Sequence, residues 1–407
     1  MDARIALDTL LVAVAVSVAA PLVLGLLPRL RVPQVVLLLA GGVLVGPQVL
    51  ALGAPVDVQI VADVGLGFVF LLAGYEVDLR LFGQDAGRRA IVAWLCSVAL
   101  AVGVVGLLEL TGLVRAFVPV AVALTTTALG TLLPVLRESG MLAGRFGRYL
   151  LAAGAVGELF PVLAIALFLG VRNRYVAVAS LAAVGLLALV LSLAPRLVRP
   201  GGRLSTVIAA GRDATTQTTL RGTLLLLIAL LAITDRIHLD SVLGAFLAGM
   251  VLRRWAGPSA PSLEGKLDAI AFGFFVPVFF VYSGMGLDLR SIGENPLRLV
   301  LFFALMVLVR GVPALPVYRR VMTGRQRLQT VLVTATTLPL LVALTEIGTR
   351  NGTMLPQNAA ALVGAGALTV LVLPTLAVAL NRPAVPAPSA PPDRETGGTD
   401  GGRPPTG

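Results

Sequence analysis

One carboxylate, Glu158, stands inside the apolar run 153–167, AGAVGELFPVLAIAL, with Gly157 before it and Pro161 three residues after. A charge at bilayer depth costs roughly 2.5–3.5 kcal/mol on insertion scales, so such a residue reads as functional by default. Pro161 supplies no backbone N–H and Gly157 adds no side chain, which loosens the helix beside the acid. A second intramembrane charge, Arg310, falls near the centre of LMVLVRGVPALP. It either pairs with Glu158 or neutralises the C-terminal ends of nearby helices. A guanidinium stays protonated across physiological pH. Glu158 is therefore the one mid-membrane group able to hold a proton and release it.

Two threonine clusters lie at comparable depth: Thr125, Thr126 and Thr127, and Thr334, Thr336 and Thr337, the latter followed by Pro339. Their hydroxyls, with Gly130 or Pro339, let a helix unwind. The freed carbonyls then offer hard oxygen ligands, and half-helix dipole ends face one another. The pair is read as two broken helices that cross. The acids Asp63, Glu76, Asp78, Glu109, Asp235, Asp240, Asp268, Asp288 and Glu346 fall near span ends and read as solvated caps or interface residues. Asp63 and Glu346 are singled out as funnel residues that guide cations. Gly42 and Gly46 form a G-x-x-x-G for helix packing, within one protomer or across a dimer.

The elements that must position these groups are membrane helices. Of 407 residues, 57% are hydrophobic and 13% charged, and the mean hydropathy is +0.93. That composition belongs to an all-α polytopic membrane protein. Thirteen spans are expected, at about 8–27, 33–52, 58–76, 89–109, 114–136, 149–170, 175–195, 216–234, 238–253, 267–286, 297–318, 328–349 and 358–380. The first is read as a span and not as a cleaved leader. The net charge of +11 sits in short breaks between spans, which excludes a nucleic-acid surface and fits the positive-inside rule. With the N terminus outside and the C terminus cytoplasmic, 23 of the 32 Lys and Arg face inward and 8 outward. The lone Cys96 excludes an intrachain disulfide and a cysteine metal cluster, and His238 falls at a helix junction. No cofactor is expected. Residues 383–407, rich in Pro and Gly, read as a disordered cytoplasmic tail after a membrane unit of 1–382.

The chain repeats itself. GYEVDLR at 74–80 matches GMGLDLR at 284–290, an offset of 210; ALTTTALG at 123–130 matches VTATTLPL at 333–340, again 210; LAGG at 39–42 matches LAGM at 247–250, an offset of 208. The third span runs inward and the tenth outward, so spans 1–6 and 8–13 form antiparallel copies joined by the seventh. Inverted repeats mark alternating-access carriers.

The phrases VPQVVLLLAGGVLVGP (32–47), GLGFVFLLAGYEVDLRLF (65–82), ALTTTALGTLLPVLRESG (123–140), LGAFLAGMVLRR (243–254) and FGFFVPVFFVYSGMGLDLR (272–290) carry a resemblance over residues 8–380. The chain resembles the monovalent cation:proton antiporter superfamily, of the bacterial sodium/hydrogen exchanger type. The resemblance implies a homodimer in the cell membrane. A core of spans 4–6 and 11–13 would move as an elevator against the remaining, dimerising spans. It implies that Glu158 takes the place of the second member of an acidic pair in the sixth span, whose first position is Gly157 here. It implies that Arg310 is the basic residue of the eleventh span. The expected activity is exchange of a monovalent cation for H⁺, Na⁺ ahead of K⁺ or Li⁺, with one proton per cation and no net charge moved. Glu158 would bind cation and proton competitively, Thr126 and Thr127 would complete the cation's oxygen shell, and Arg310, Thr336 and Thr337 would stabilise the crossing. The rival reading keeps the fold and makes it a proton- or sodium-coupled carrier of an organic anion or another small solute, with room for the ligand at Gly157.

Overall fold

The computed structural model describes residues 3–26, 32–77, 79–112, 114, 116–168, 182–183, 185–191, 217–236, 241–256 and 260–381. Every regular element among them is helical. In chain order the first half holds α1 (Ala3–Leu26), α2 (Gln34–Val45), α3 (Pro55–Glu76), α4 (Asp85–Leu110), the short α5 (Phe117–Ala123) and α6 (Leu129–Glu138), and α7 (Gly144–Phe168). The second half holds α8 (Thr218–Arg236), α9 (Ser241–Ala256), α10 (Ala260–Ile270), α11 (Val276–Met285), α12 (Leu289–Glu294), α13 (Pro296–Met306), α14 (Ala314–Val317), α15 (Gly324–Thr334), α16 (Pro339–Arg350) and α17 (Pro356–Ala379). π-helical turns at Ala271–Phe275 and Val307–Gly311 join α10 to α11 and connect α13 toward α14.

Eight apolar helical segments among the described residues are long enough to cross a membrane, one of them, Gly324–Arg350, made of α15 and α16 together. The other expected spans fall on α2, α8, α9, the α5–α6 pair and the seventh, of which only helical turns at 182–183 and 185–191 are described. His238 and the tail 383–407 lie outside the described residues. Local chemistry sets the ends. Thr323 starts α15 through a capping box with Gln326, and Pro stands in the first turn of α3, α16 and α17, where no N–H is needed.

Packing bears out the repeat and corrects its register. A Cβ built on Gly284 would lie 2.2 Å from the Leu39 carbonyl oxygen, and one on Gly74 would lie 2.0 Å from that of Phe246. A Cβ on Gly42 would lie 2.1 Å from Val281 O, and one on Gly249 2.0 Å from Leu71 O. These contacts interconvert when α3 maps onto α11 at an offset of 210 and α2 onto α9 at 207. LAGG therefore superposes on 246–249 and not on LAGM at 247–250, a shift of one residue from the sequence match. Gly42 and Gly46 serve close packing of α2 on α11 within the chain, Gly46 lying against Met285. Helices α1–α3 pack with α8–α11, and α4–α7 pack with α13–α17.

Candidate functional site

The site forms where the two broken helices meet. α5 stops because Thr125 Oγ1 donates to Val122 O (2.8 Å) and Thr126 Oγ1 to Ala123 O (2.7 Å), which satisfies the last carbonyls from side chains. α15 stops one repeat later, with Thr334 and Thr336 donating to the carbonyls of Thr330 and Leu332. The unwound strands are then stitched together. Ala128 N donates to Thr336 O (3.0 Å), Thr127 Oγ1 donates to Thr334 O (2.7 Å), and the Thr126 and Thr337 hydroxyls share a 2.6 Å hydrogen bond. All six threonines are buried.

Pro161 explains how α7 joins this crossing. α7 runs unbroken through the proline, but Pro161 has no N–H for the carbonyl four residues back. That carbonyl belongs to Gly157, and Thr127 N donates to it at 2.9 Å. The missing side chain at Gly157 matters equally. A Cβ there would lie 2.5 Å from Thr127 Oγ1 and 2.6 Å from Arg310 Nη2. The place of the absent first acid is occupied by a threonine and a guanidinium, so Gly157 leaves no room for a larger ligand.

Arg310 is buried (2% exposed) and sits on the π-turn Val307–Gly311. It does not pair with Glu158. Nε donates to Thr127 Oγ1 (2.9 Å) and Nη2 to Ala153 O (2.8 Å), and among the described residues it forms no ion pair with any carboxylate. The reason is that backbone and hydroxyl acceptors of the crossing lie closer than the acid. Its donors reach one hydroxyl of the unwound segment and one carbonyl in the middle of α7, and neither acceptor is the C-terminal end of a helix.

Glu158 is 6% exposed and turns the other way. Its Oε1 accepts from Leu129 N (2.7 Å) and Gly130 N (3.3 Å), the first free N–H groups of α6. A carboxylate there is held by unpaired donors and by the positive end of the helix dipole. Its Oε2 is buried with no hydrogen-bond partner. A cavity of about 60 Å³ opens beside it, lined by Glu158, Glu76, Gly130, Thr131 and the rings of Phe272 and Phe280 among others. Roughly 30 Å³ is one water's share of liquid volume, so the space suits a small ion with one or two waters.

Glu76 corrects its sequence reading. It ends α3, yet it is no solvated cap: its Oε2 is buried without a partner, and its carboxylate lies against Gly130, whose built Cβ would be 3.1 Å from Oε2. The signal was in the repeat. At offset 210 the counterpart of Glu76 is Gly286, so one copy carries an acid where the other carries none. Thr131 is the other polar lining residue that sequence reasoning passed over. Thr126 and Thr127, expected on the oxygen shell, spend their hydroxyls within the crossing, and neither lines the cavity. Asp63 and Glu346 are not free funnel residues either. Both accept hydrogen bonds from Arg350, at 2.9 and 2.7 Å.

A second, larger crevice of about 850 Å³ shares Gly130, Thr131, Phe272 and Phe280 with the small cavity. It runs between α2 and α11 on one side and α6 and α17 on the other, out to Glu138 and Ser139.

Residues 14–380 match the family model described as sodium/hydrogen exchanger, transmembrane. The chain belongs to this sodium/hydrogen exchanger family. Cation/H(+) antiporter 18 of Arabidopsis thaliana is 29% identical over 288 residues, covering 66% of this chain and 35% of the plant protein. The glutathione-regulated potassium-efflux system protein KefC of Salmonella typhimurium (strain LT2) is 25% identical over 312 residues, 73% of this chain and 48% of KefC. The exchanger chain thus spans about a third to a half of the length of these curated relatives. The structure of the sodium proton antiporter MjNhaP1 from Methanocaldococcus jannaschii superposes with a TM-score of 0.65 at 17% identity, covering 94% of this chain and 99% of that one. The exchanger fold expected from the sequence is therefore shown, with its crossing broken helices.

Proposed function

We propose that the protein exchanges a monovalent cation for H⁺ across the cell membrane. The observation that carries this reading is the pair of buried, partnerless carboxyl oxygens, Glu158 Oε2 and Glu76 Oε2, on one small cavity. Buried polar atoms are nearly always satisfied. A carboxylate pair at the N-terminus of α6 is satisfied by a proton or by a cation, and one occupant displaces the other. Two anionic oxygens in a tight space favour the smaller cation, so Na⁺ is proposed ahead of K⁺.

The roles divide between the two groups of helices. Glu158 rides on α7, within the α4–α7 and α13–α17 group, and Glu76 stands on α3, within the other. If the first group slides as an elevator, Glu158 travels and Glu76 stays. One proton then leaves the travelling site for each monovalent cation that enters, and exchange moves no net charge. Arg310 travels too and contributes a fixed charge that holds the crossing together. The arginine-rich ends of the 137–148 and 319–327 connections support a cytoplasmic opening for the large crevice. The two helix groups and a dimer formed through the stationary one follow the same scheme.

The test is a dye-based proton-flux assay in proteoliposomes with Na⁺, K⁺ and Li⁺ in turn. The intact protein is expected to move protons in response to Na⁺ without generating a membrane potential. Glu158→Gln is expected to reduce the signal to background. Full exchange by that variant would remove Glu158 from the site.

A further inference from the structure

Three hydrogen bonds cross the seam between the two helix groups at the end remote from the crevice. Arg350, on the last turn of α16, donates through Nη2 to Asp63 Oδ1 on α3 (2.9 Å) and to the Tyr282 hydroxyl on α11 (2.8 Å). Tyr282 in turn donates to Glu346 Oε1 on α16 (2.8 Å). Within α16, Arg350 Nε also binds Glu346 Oε1 (2.7 Å), which fixes the guanidinium toward the seam. Its carbon lies 5.9 Å from the centre of the Tyr282 ring. The cluster is only partly exposed: side-chain exposure is 35% for Arg350, 45% for Asp63 and 20% for Glu346.

Among the described residues the other end of the seam shows no such device, although the fold is a repeat. At offset 210 the counterparts of Asp63, Tyr282, Glu346 and Arg350 are Gly273, Leu72, Leu136 and Gly140. None of these can make an ion pair. That end stands open as the 850 Å³ crevice, whereas a smaller cavity of about 150 Å³ lies at the locked end beside Glu346 and Asp288. The asymmetry is thus written in the side chains and not in the backbone topology.

We infer that Arg350, Asp63 and Tyr282 form a lock that holds this end of the seam shut, and that its release is a step of the transport cycle. The inference rests on the relative movement of the two helix groups proposed above. The Arg350–Glu346 bond lies within one helix and survives that movement. The bonds to Asp63 and Tyr282 and the Tyr282–Glu346 bond join different groups and must break. A two-state seam responds to the loss of such bonds by shifting its populations, with no change in either end state. Arg350 is in this sense a positioning residue, remote from the carboxylates that bind the cation.

Two single-cysteine reporters, in a Cys96→Ser background, read the two ends of the seam separately. Ala360 is buried in the 150 Å³ cavity and reports the locked end; Val135 lines the large crevice and reports the open one. A membrane-impermeant maleimide is applied to proteoliposomes from each side in turn. Asp63→Asn and Arg350→Gln are expected to raise the labelling rate of Ala360→Cys by about two- to fivefold, the range that a part-exposed ion pair commands. Both are expected to lower the labelling of Val135→Cys. Unchanged rates at both reporters would overturn the lock. A rise at both would indicate a loosened fold and would overturn it equally. Labelling needs no transported ion. Opposite shifts without cation-driven proton flux would keep the lock and reject the exchange reading, and unchanged labelling with intact flux would do the reverse.

Discussion

The two helix breaks are copies of one design, and only one of them carries charge chemistry. In the first half, the break between α5 and α6 presents the free N–H groups of Leu129 and Gly130 to the Glu158 carboxylate from α7. In the second half, α16 begins at Pro339, which has no N–H, and the unwound Thr337 N donates instead to the Thr369 hydroxyl from α17 (3.1 Å). Thr369 also donates to Thr337 O (3.0 Å). Each helix that follows a break sends one polar side chain to it, Glu158 from α7 and Thr369 from α17, one residue out of step at the offset of 210. The threonine closes its hydrogen bonds completely; the glutamate leaves one oxygen open to a cavity. A structural crossing needs only neutral partners; under the proposed exchange, the charge is kept where an occupant is traded.

Substitutions at the two places should separate these roles. The largest contrast is between Glu158→Gln, which removes cation-driven proton flux, and Thr369→Val, which retains it. Thr369→Val leaves the buried Thr337 N–H unpaired and is expected to lower stability by about 1–3 kcal/mol in thermal unfolding. Loss of flux in Thr369→Val at unchanged stability would make the second break part of the ion site. Next in size, Gly157→Ala forces a Cβ against Thr127 Oγ1 and Arg310 Nη2 and is expected to destabilise by about 1–3 kcal/mol. An unshifted unfolding midpoint would mean that the guanidinium is not packed there. Glu76→Gln should keep exchange but raise the half-saturating Na⁺ concentration roughly tenfold from the crevice side, about what one nearby charge supplies at intermediate dielectric. Equal weakening from both sides would show Glu76 travelling with Glu158.

Much of this site was legible because membrane burial makes single charges conspicuous. Glu158 and Arg310 stood out by cost alone, and the two threonine clusters by their repetition at one offset. Their partners were not legible. Charge complementarity suggested an Arg310–Glu158 pair, whereas the fold offers Arg310 the Ala153 carbonyl and Thr127 hydroxyl first. Glu76 looked like a span end because hydropathy marks where an apolar run stops and not what covers that end. Asp63 and Arg350, 287 residues apart, meet only through the seam between helix groups, which no local spacing encodes. The one-residue slip in the α2–α9 register arose because small apolar words such as LAG match at several offsets, while close backbone approach at Gly42 and Gly249 admits one.

Competition between proton and cation for Glu158 is tested most directly by the pH dependence of the half-saturating Na⁺ concentration in proteoliposomes. With a single shared carboxylate, that concentration should rise tenfold for each unit of pH below the titration of the site, while the maximal rate at saturating Na⁺ stays constant. A half-saturating concentration independent of pH, with proton flux falling only through the maximal rate, would show that the two ions do not share Glu158.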